Sequence, residues 1–170
     1  MKEEISKHDD MIVANFEDTF FNDTMKKFYS FVWASTFCRK SEPVILFLDR
    51  GDAFNADKLT EVLDEMPLKK RKSLLHGHLR YGDEQFSEDE LKLWSTSKEE
   101  VAFPTYPPYL DGRHMLVGFE TLQRIALGMY FTKIIHTADA WVGMAALRSG
   151  LPVLDMKEIT NSKTNFIRHL

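Results

Sequence analysis

Three groups of side chains have types and spacings that could do chemistry. The first is Asp49-Arg50-Gly51-Asp52, a turn placed directly after an apolar run. Two carboxylates there could hold a hard divalent cation, and magnesium or manganese bound by oxygen commonly bridges to substrate phosphates. Arg50 could instead face an anion itself, as a fixed cation. The plain alternative is a turn in which Asp49 and Asp52 accept from nearby backbone N–H groups. The second is Asp139, at the start of an expected helix. It could act as a general base in a cleft, or serve only as an acidic first-turn residue favoured by the helix dipole. The third is Tyr106-Pro107-Pro108-Tyr109, where two prolines stiffen the backbone between two flat hydroxyl-bearing rings. Sugars are held by such stacking and hydrogen bonding, and the same residues also make a rigid structural loop. Trp94 offers a similar choice between sugar platform and core plug. His76, His78, His114 and His136 show no spacing tied to a second soft ligand and read as core or surface.

The elements that must position these groups follow from hydrophobic periodicity. Met11-Ile12-Val13-Ala14 reads as a buried strand. Asn22-Asp23-Thr24 reads as a side-chain cap for a helix over Met25 to Phe37, with Phe28, Val32, Trp33 and Thr36 near one face. The same three residues spell an N-x-T acceptor sequon. Pro43 to Leu48 is continuously apolar, the pattern of a strand buried on both faces. A helix follows over Ala56 to Met66, with Leu59, Val62, Leu63 and Met66 inward. Ser73 to Leu79 and His114 to Val117 read as strands, and Pro104 to Gly112 as a rigid loop. Phe119 to Tyr130 reads as a helix facing in through Leu122, Ile125, Ala126 and Met129. A last helix runs from Asp139 to a stop at Gly150, and Leu151 to Leu154 reads as a final strand. Strands alternating with helices imply an α/β layer fold, in which ligands sit at the carboxyl ends of strands.

Composition narrows the function classes. The 170 residues carry 22 basic and 26 acidic side chains, for a formal charge of −4, and 44% are apolar. That is ordinary for one globular domain and argues against disorder. It also carries no bulk basic signal for nucleic acid. The run Lys69-Lys70-Arg71-Lys72 is local, and reads as a solvated loop or as an anion or headgroup contact. No apolar stretch is long enough to span a bilayer, and the acidic start is unlike a secretory signal. The one cysteine, Cys38, cannot form an internal disulfide and reads as a small buried hydrophobe.

Taken in order, the motifs resemble the galactosyltransferase family of β-1,3-glycosyltransferases, glycosyltransferase family 31. Asp10 to Thr24, followed by Trp33 and Cys38, is similar to the family segment that runs from an apolar strand through Asn-Phe and Asp-Thr-Phe to N-x-T. Arg50-Gly51-Asp52-Ala53-Phe54 stands where the family has Asp-Asp-Asp-x-Phe. Trp94, Ser97, Glu99, Glu100 and Tyr106 to Tyr109 match the W-x-x-S-x-E-E and Y-P-P-Y motifs. Ala138-Asp139-Ala140-Trp141-Val142-Gly143 matches Glu-Asp-Val-[YF]-x-Gly. The departures are Arg50 and Gly51 for two aspartates, Ala138 for a glutamate, and Leu110-Asp111-Gly112-Arg113 for Cys-Ser-Gly-Gly.

The resemblance implies a GT-A-like nucleotide-sugar transferase fold, here partial, with a mixed sheet flanked by helices. Residues 1–155 would form the later part of the catalytic domain and 156–170 a tail. It implies transfer of a hexose from a UDP-sugar to a glycan hydroxyl with inversion, using manganese. Asp139 would be the base, Asp52 and Asp49 the metal ligands, and Arg50, Asp52, Trp94, Tyr106 and Tyr109 the donor contacts. The Golgi lumen is the implied location, and other glycosyltransferases are possible partners. The alternative is a catalytically inactive paralogue or truncated fragment that binds glycan or a partner transferase.

Overall fold

A strand pairs through its backbone and divides its side chains between two faces, and the apolar run ending at Leu48 does both. The computed structural model describes residues 2–48, 52–82, 96, 99–101, 103–159 and 167–169. Six strands are described: β1 (Ile45–Leu48), β2 (Asp52–Phe54), β3 (Leu75–Arg80), β4 (Tyr109–Val117), β5 (Leu154–Asp155) and β6 (Ile167–His169). The helices are α1 (Lys2–His8), α2 (Asp23–Phe37), α3 (Ala56–Asp64), α4 (Leu68–Lys72), α5 (Phe119–Tyr130) and α6 (Ala138–Arg148). The main sheet has the order β1-β4-β3-β5, with β4 antiparallel to both neighbours and β5 parallel to β3. It is the expected mixed sheet flanked by helices. β2 and β6 form a separate antiparallel pair. No described helix is long and apolar enough to cross a membrane.

Alternation along the strands feeds two cores. Ile45 and Phe47 of β1, Met115 and Val117 of β4 and Leu75 of β3 pack with α2, α5 and α6 in the larger one. Leu46 and Leu116 point the other way, toward Leu59 and Val62 of α3 and toward Met156. A period of two puts successive residues on opposite faces, so a strand covered on both sides needs an unbroken apolar run. Both faces of β1 are therefore covered as expected, but among the described strands β1 is at the sheet edge, with Ile45 to Phe47 half-buried and Leu48 exposed.

α5 has the expected bounds, and Leu122, Ile125, Ala126 and Met129 are all buried. α6 ends as expected at Gly150, whose φ is +65°. Gly150 N–H donates to Leu147 O at 2.9 Å and Leu151 N–H to Ala146 O at 3.0 Å. This paired ending satisfies the last carbonyls and needs a left-handed residue, which glycine adopts without a Cβ penalty. Trp141 is fully buried between the helices, and its Nε1–H donates to Thr132 O at 3.3 Å.

Four expectations change. Met11 to Ala14 is irregular rather than a strand, and Ile12 and Val13 are each 58% exposed. An extended segment becomes a strand only when a partner takes its N–H and C=O groups, and no described strand does so. The inward face of α2 is Thr24, Phe28, Phe31 and Ala34, while Trp33 and Thr36 are exposed. Aromatic residues surround this helix, so apolarity alone does not set its rotation. The phase comes from Phe31, which stacks on Phe47 at 4.7 Å, and from Thr24, whose Oγ1 donates to Ile135 O at 2.7 Å. Asn22 makes no cap bond; its amide donates to Glu17 O at 3.0 Å. Lys69 to Lys72 belong to the short helix α4 instead of a loop, with Lys72 paired to Glu42 and Arg71 to Asp64. Beyond these, β4 starts at Tyr109, so part of the expected loop is strand.

Candidate active site

The described carboxyl end of β1 opens into a cavity of about 430 Å³, lined there by Leu48. This is where an α/β layer fold places ligands. Asp139 reaches the cavity from the first turn of α6 and Gly112 reaches it from β4. β1 and β4 pair up to Leu48 and His114, so Gly112 lies two residues beyond the last shared rung. Its N–H donates to Asp139 Oδ2 at 2.7 Å. A Cβ at residue 112 would stand 2.6 Å from either carboxylate oxygen, so the close approach requires glycine here.

The surroundings set the proton affinity of Asp139. Burial pushes its pKa from 3.8 up to about 6, because a charged carboxylate loses water there. Lys27 and the Gly112 N–H bond oppose that rise, while Asp23 and Asp111 add to it. The result is a carboxylate ionised at neutral pH yet basic enough to accept a proton, the poise that general-base catalysis needs.

Asp18, Phe20, Asp23, Lys26, Lys27 and His136 complete much of the wall. Lys26 is paired with Asp18 and lies 4.0 Å from Asp23. Sequence reasoning did not single these out as site residues. Asp18 and Phe20 stood inside a quoted motif, but Lys26 and Lys27 come one turn into α2. Only the packing of α2 beside α6 brings them to Asp139.

None of the other expected site residues that the structure describes lines this cavity. Asp49, Arg50 and Trp94 are outside the described residues, and Asp52 opens β2 opposite His169. Tyr106 is only 4% exposed. Its hydroxyl lies 2.9 Å from Thr96 Oγ1 and donates to Thr137 Oγ1 at 3.4 Å. Tyr109 meets the Tyr106 ring edge-on at 6.1 Å and packs against Gly143. Both tyrosines therefore brace α6, the helix that carries Asp139, and neither lines the 430 Å³ cavity. His76 and His114 are buried in the sheet, as read from sequence. Among the described residues no group of three His, Cys, Asp or Glu side chains is placed to hold a metal ion. Asp49, which the family resemblance pairs with Asp52 as a metal ligand, lies outside the described residues.

Comparison with known proteins bears directly on this site. The family model for galactosyltransferase matches residues 1–157. The chain is 26% identical over 153 residues to the β-1,3-galactosyltransferase brn of Drosophila melanogaster, covering 87% of this chain and 45% of that protein. It is 30% identical over 156 residues to human N-acetyllactosaminide β-1,3-N-acetylglucosaminyltransferase 2, covering 89% of this chain and 37% of that protein. It is 25% identical over 142 residues to mouse β-1,3-galactosyltransferase 1, covering 84% and 43%. The chain thus spans less than half the length of the curated relatives it matches. With the family model covering nearly all of its described residues, and a cleft carboxylate where the ordered motifs place one, this chain belongs to the galactosyltransferase family.

Proposed function

We propose that this chain carries the acceptor-activating part of a β-1,3-hexosyltransferase site, with Asp139 as its base. The observation that supports this reading is the Asp139 carboxylate at the cavity wall, gripped by the Gly112 N–H and with its pKa raised to about 6. The Gly112 bond occupies Oδ2 and orients the carboxylate, so Oδ1 is the oxygen available to the acceptor. Asp139 takes the proton of an acceptor glycan hydroxyl as that oxygen bonds to the anomeric carbon of a UDP-hexose. The anomeric carbon–phosphate oxygen bond breaks on the opposite side, UDP departs with the electron pair, and configuration inverts. Lys27, close enough to act on Asp139 through its charge, keeps the carboxylate ionised at working pH.

The UDP-sugar donor, the glycan acceptor, manganese bound by Asp49 and Asp52, and a Golgi location are part of the same reading through the family. So are the donor contacts assigned to Arg50 and Trp94, whereas Tyr106 and Tyr109 brace α6 outside the cavity. The test is hexose transfer from UDP-sugars with manganese, by the chain and by Asp139→Asn. A base of this kind is worth about 10²–10⁴ in rate. Equal rates in both proteins would refute the assignment. A second reading, an inactive paralogue that binds glycan or a partner transferase and has lost the donor site, is favoured by Ala138, Arg50 and Gly51 standing where the family has acidic residues. Saturable, manganese-dependent binding of UDP in a calorimeter counts against it.

A further inference from the structure

A second cavity is larger than the one at Asp139. It measures about 720 Å³ and lies between the proline loop and the last turns of α6, lined by Phe103, Pro104, Tyr106, Pro107, Met144 and Leu147 among others. A smaller cavity of about 170 Å³ shares Pro107, Pro108 and Leu147 with it and continues past Leu151 and Val153. The two adjoin through those shared walls and are lined mainly by apolar side chains, and the larger has the size of pockets that take small ligands. The walls are stiff, because the prolines fix the backbone and Tyr106 is tied by its hydroxyl to Thr96 and Thr137. Phe103 and Leu147 are 65% and 63% exposed. Large apolar side chains gathered on an open groove are unfavourable unless something covers them.

Charge identifies the occupant. Lys133 and Arg148 line the larger cavity, and no described Asp or Glu side chain lines either one. Lys133 Nζ donates to Glu99 O at 2.8 Å, a bond to a neutral carbonyl, and among the described residues no carboxylate is paired with it. Two cations beside a long apolar trough complement a flexible alkyl chain that ends in an anion. We propose that this groove binds a single-chain anionic amphiphile, with the alkyl chain along Pro107, Met144 and Leu147 and the anionic head between Lys133 and Arg148. The site is separate from the Asp139 cleft and does not depend on the reaction proposed for it.

The experiment is a calorimetric titration of the chain with dodecanoate below its micellar concentration, with dodecanol as the neutral control. Saturable binding of one dodecanoate, and about tenfold weaker binding of dodecanol, is the expected result. Reversing both charges, Lys133→Glu with Arg148→Glu, should weaken dodecanoate by about tenfold or more and leave dodecanol unchanged. Leu147→Asp should remove binding of both, and its exposed position lets the chain keep its fold, checked by circular dichroism. Asp139→Asn should bind dodecanoate like the parent. No saturable binding, or equal affinity after charge reversal, overturns the proposal. So does sedimentation showing a dimer that Leu147→Asp dissolves, which would make a second copy the occupant.

Discussion

α6 presents two unlike hollows, one at each end. Its first turn puts Asp139 into a cleft shared with Asp18, Asp23, Lys26, Lys27 and His136. Its last turns put Met144, Leu147 and Arg148 against an apolar groove without a described acidic wall. The same helix thus borders a polar cavity in which charges oppose one another and an apolar one whose described charges are both cations. The difference shows how placement changes what a side chain does. At the first site a half-buried carboxylate among mixed charges has its pKa raised to about 6, the property on which the proposed base role rests. At the second, exposed apolar side chains lie beside two cations with no described acidic partner, the features on which the proposed amphiphile site rests.

The largest expected effect separates the two ends. Asp139→Asn should lower hexose transfer by about 10³-fold in a UDP-sugar assay while leaving the groove unaltered. The same variant should be the more stable protein. The folded pKa of Asp139, about 6, lies above its ordinary 3.8, so the protonated form favours folding. That contribution is complete below 3.8 and is lost as pH rises through about 6, leaving a cost at neutral pH. Asparagine keeps an acceptor for Gly112 N–H without the charge. A gain of about 1–2 kcal/mol in denaturant unfolding at pH 7 is expected, after discounting for partial exposure.

Trp141→Ala should damage both ends together. Removing a fully buried indole from the α6 interface costs about 3–5 kcal/mol. Thermal unfolding and both binding assays should fall in step, and a loss confined to one end would break the picture of a shared helix. Gly112→Ala is more selective. The added methyl meets both oxygens of Asp139, so transfer should fall by about 10–100-fold through misplacement of the base, with dodecanoate affinity kept.

The pH profile sharpens the polar end further. The rate constant kcat/KM should drop about tenfold per pH unit below about 6, as Asp139 takes up its proton. Lys27→Ala removes a charge that holds this pKa down, so the acid limb should move to higher pH. An unmoved limb would show that Asp139 is not the group being titrated. The smallest effect belongs to the groove: Leu147→Asp should change stability by less than about 0.5 kcal/mol, because Leu147 is already largely in water.

Much of the framework was legible because its causes are local. The α5 stripe Leu122, Ile125, Ala126 and Met129 and the α6 stop at Gly150 follow from helical periodicity and from glycine's freedom at positive φ. α2 was not legible to the same degree. Its rings point in all directions, and Phe47 selected which of them turned inward. Met11 to Val13 had the composition of a strand but no described partner, and a strand is a property of two segments. At the site, Asp139 was singled out from its place at a helix start and its match to a family motif. Tyr106 and Tyr109 have chemistry suited to sugars, but they brace α6 and do not line its cleft.

By itself, the order of residues determined the family, the alternation of strands and helices, and the position of the cleft carboxylate. Each depends on which residue follows which. The tertiary structure alone decided that Asp139 would be half-buried and raised in pKa, that Lys26 and Lys27 would share its cavity, and that an apolar groove with two cations would form behind it. Desolvation and charge pairing depend on which surfaces meet across long sequence separations, and no local pattern encodes that meeting.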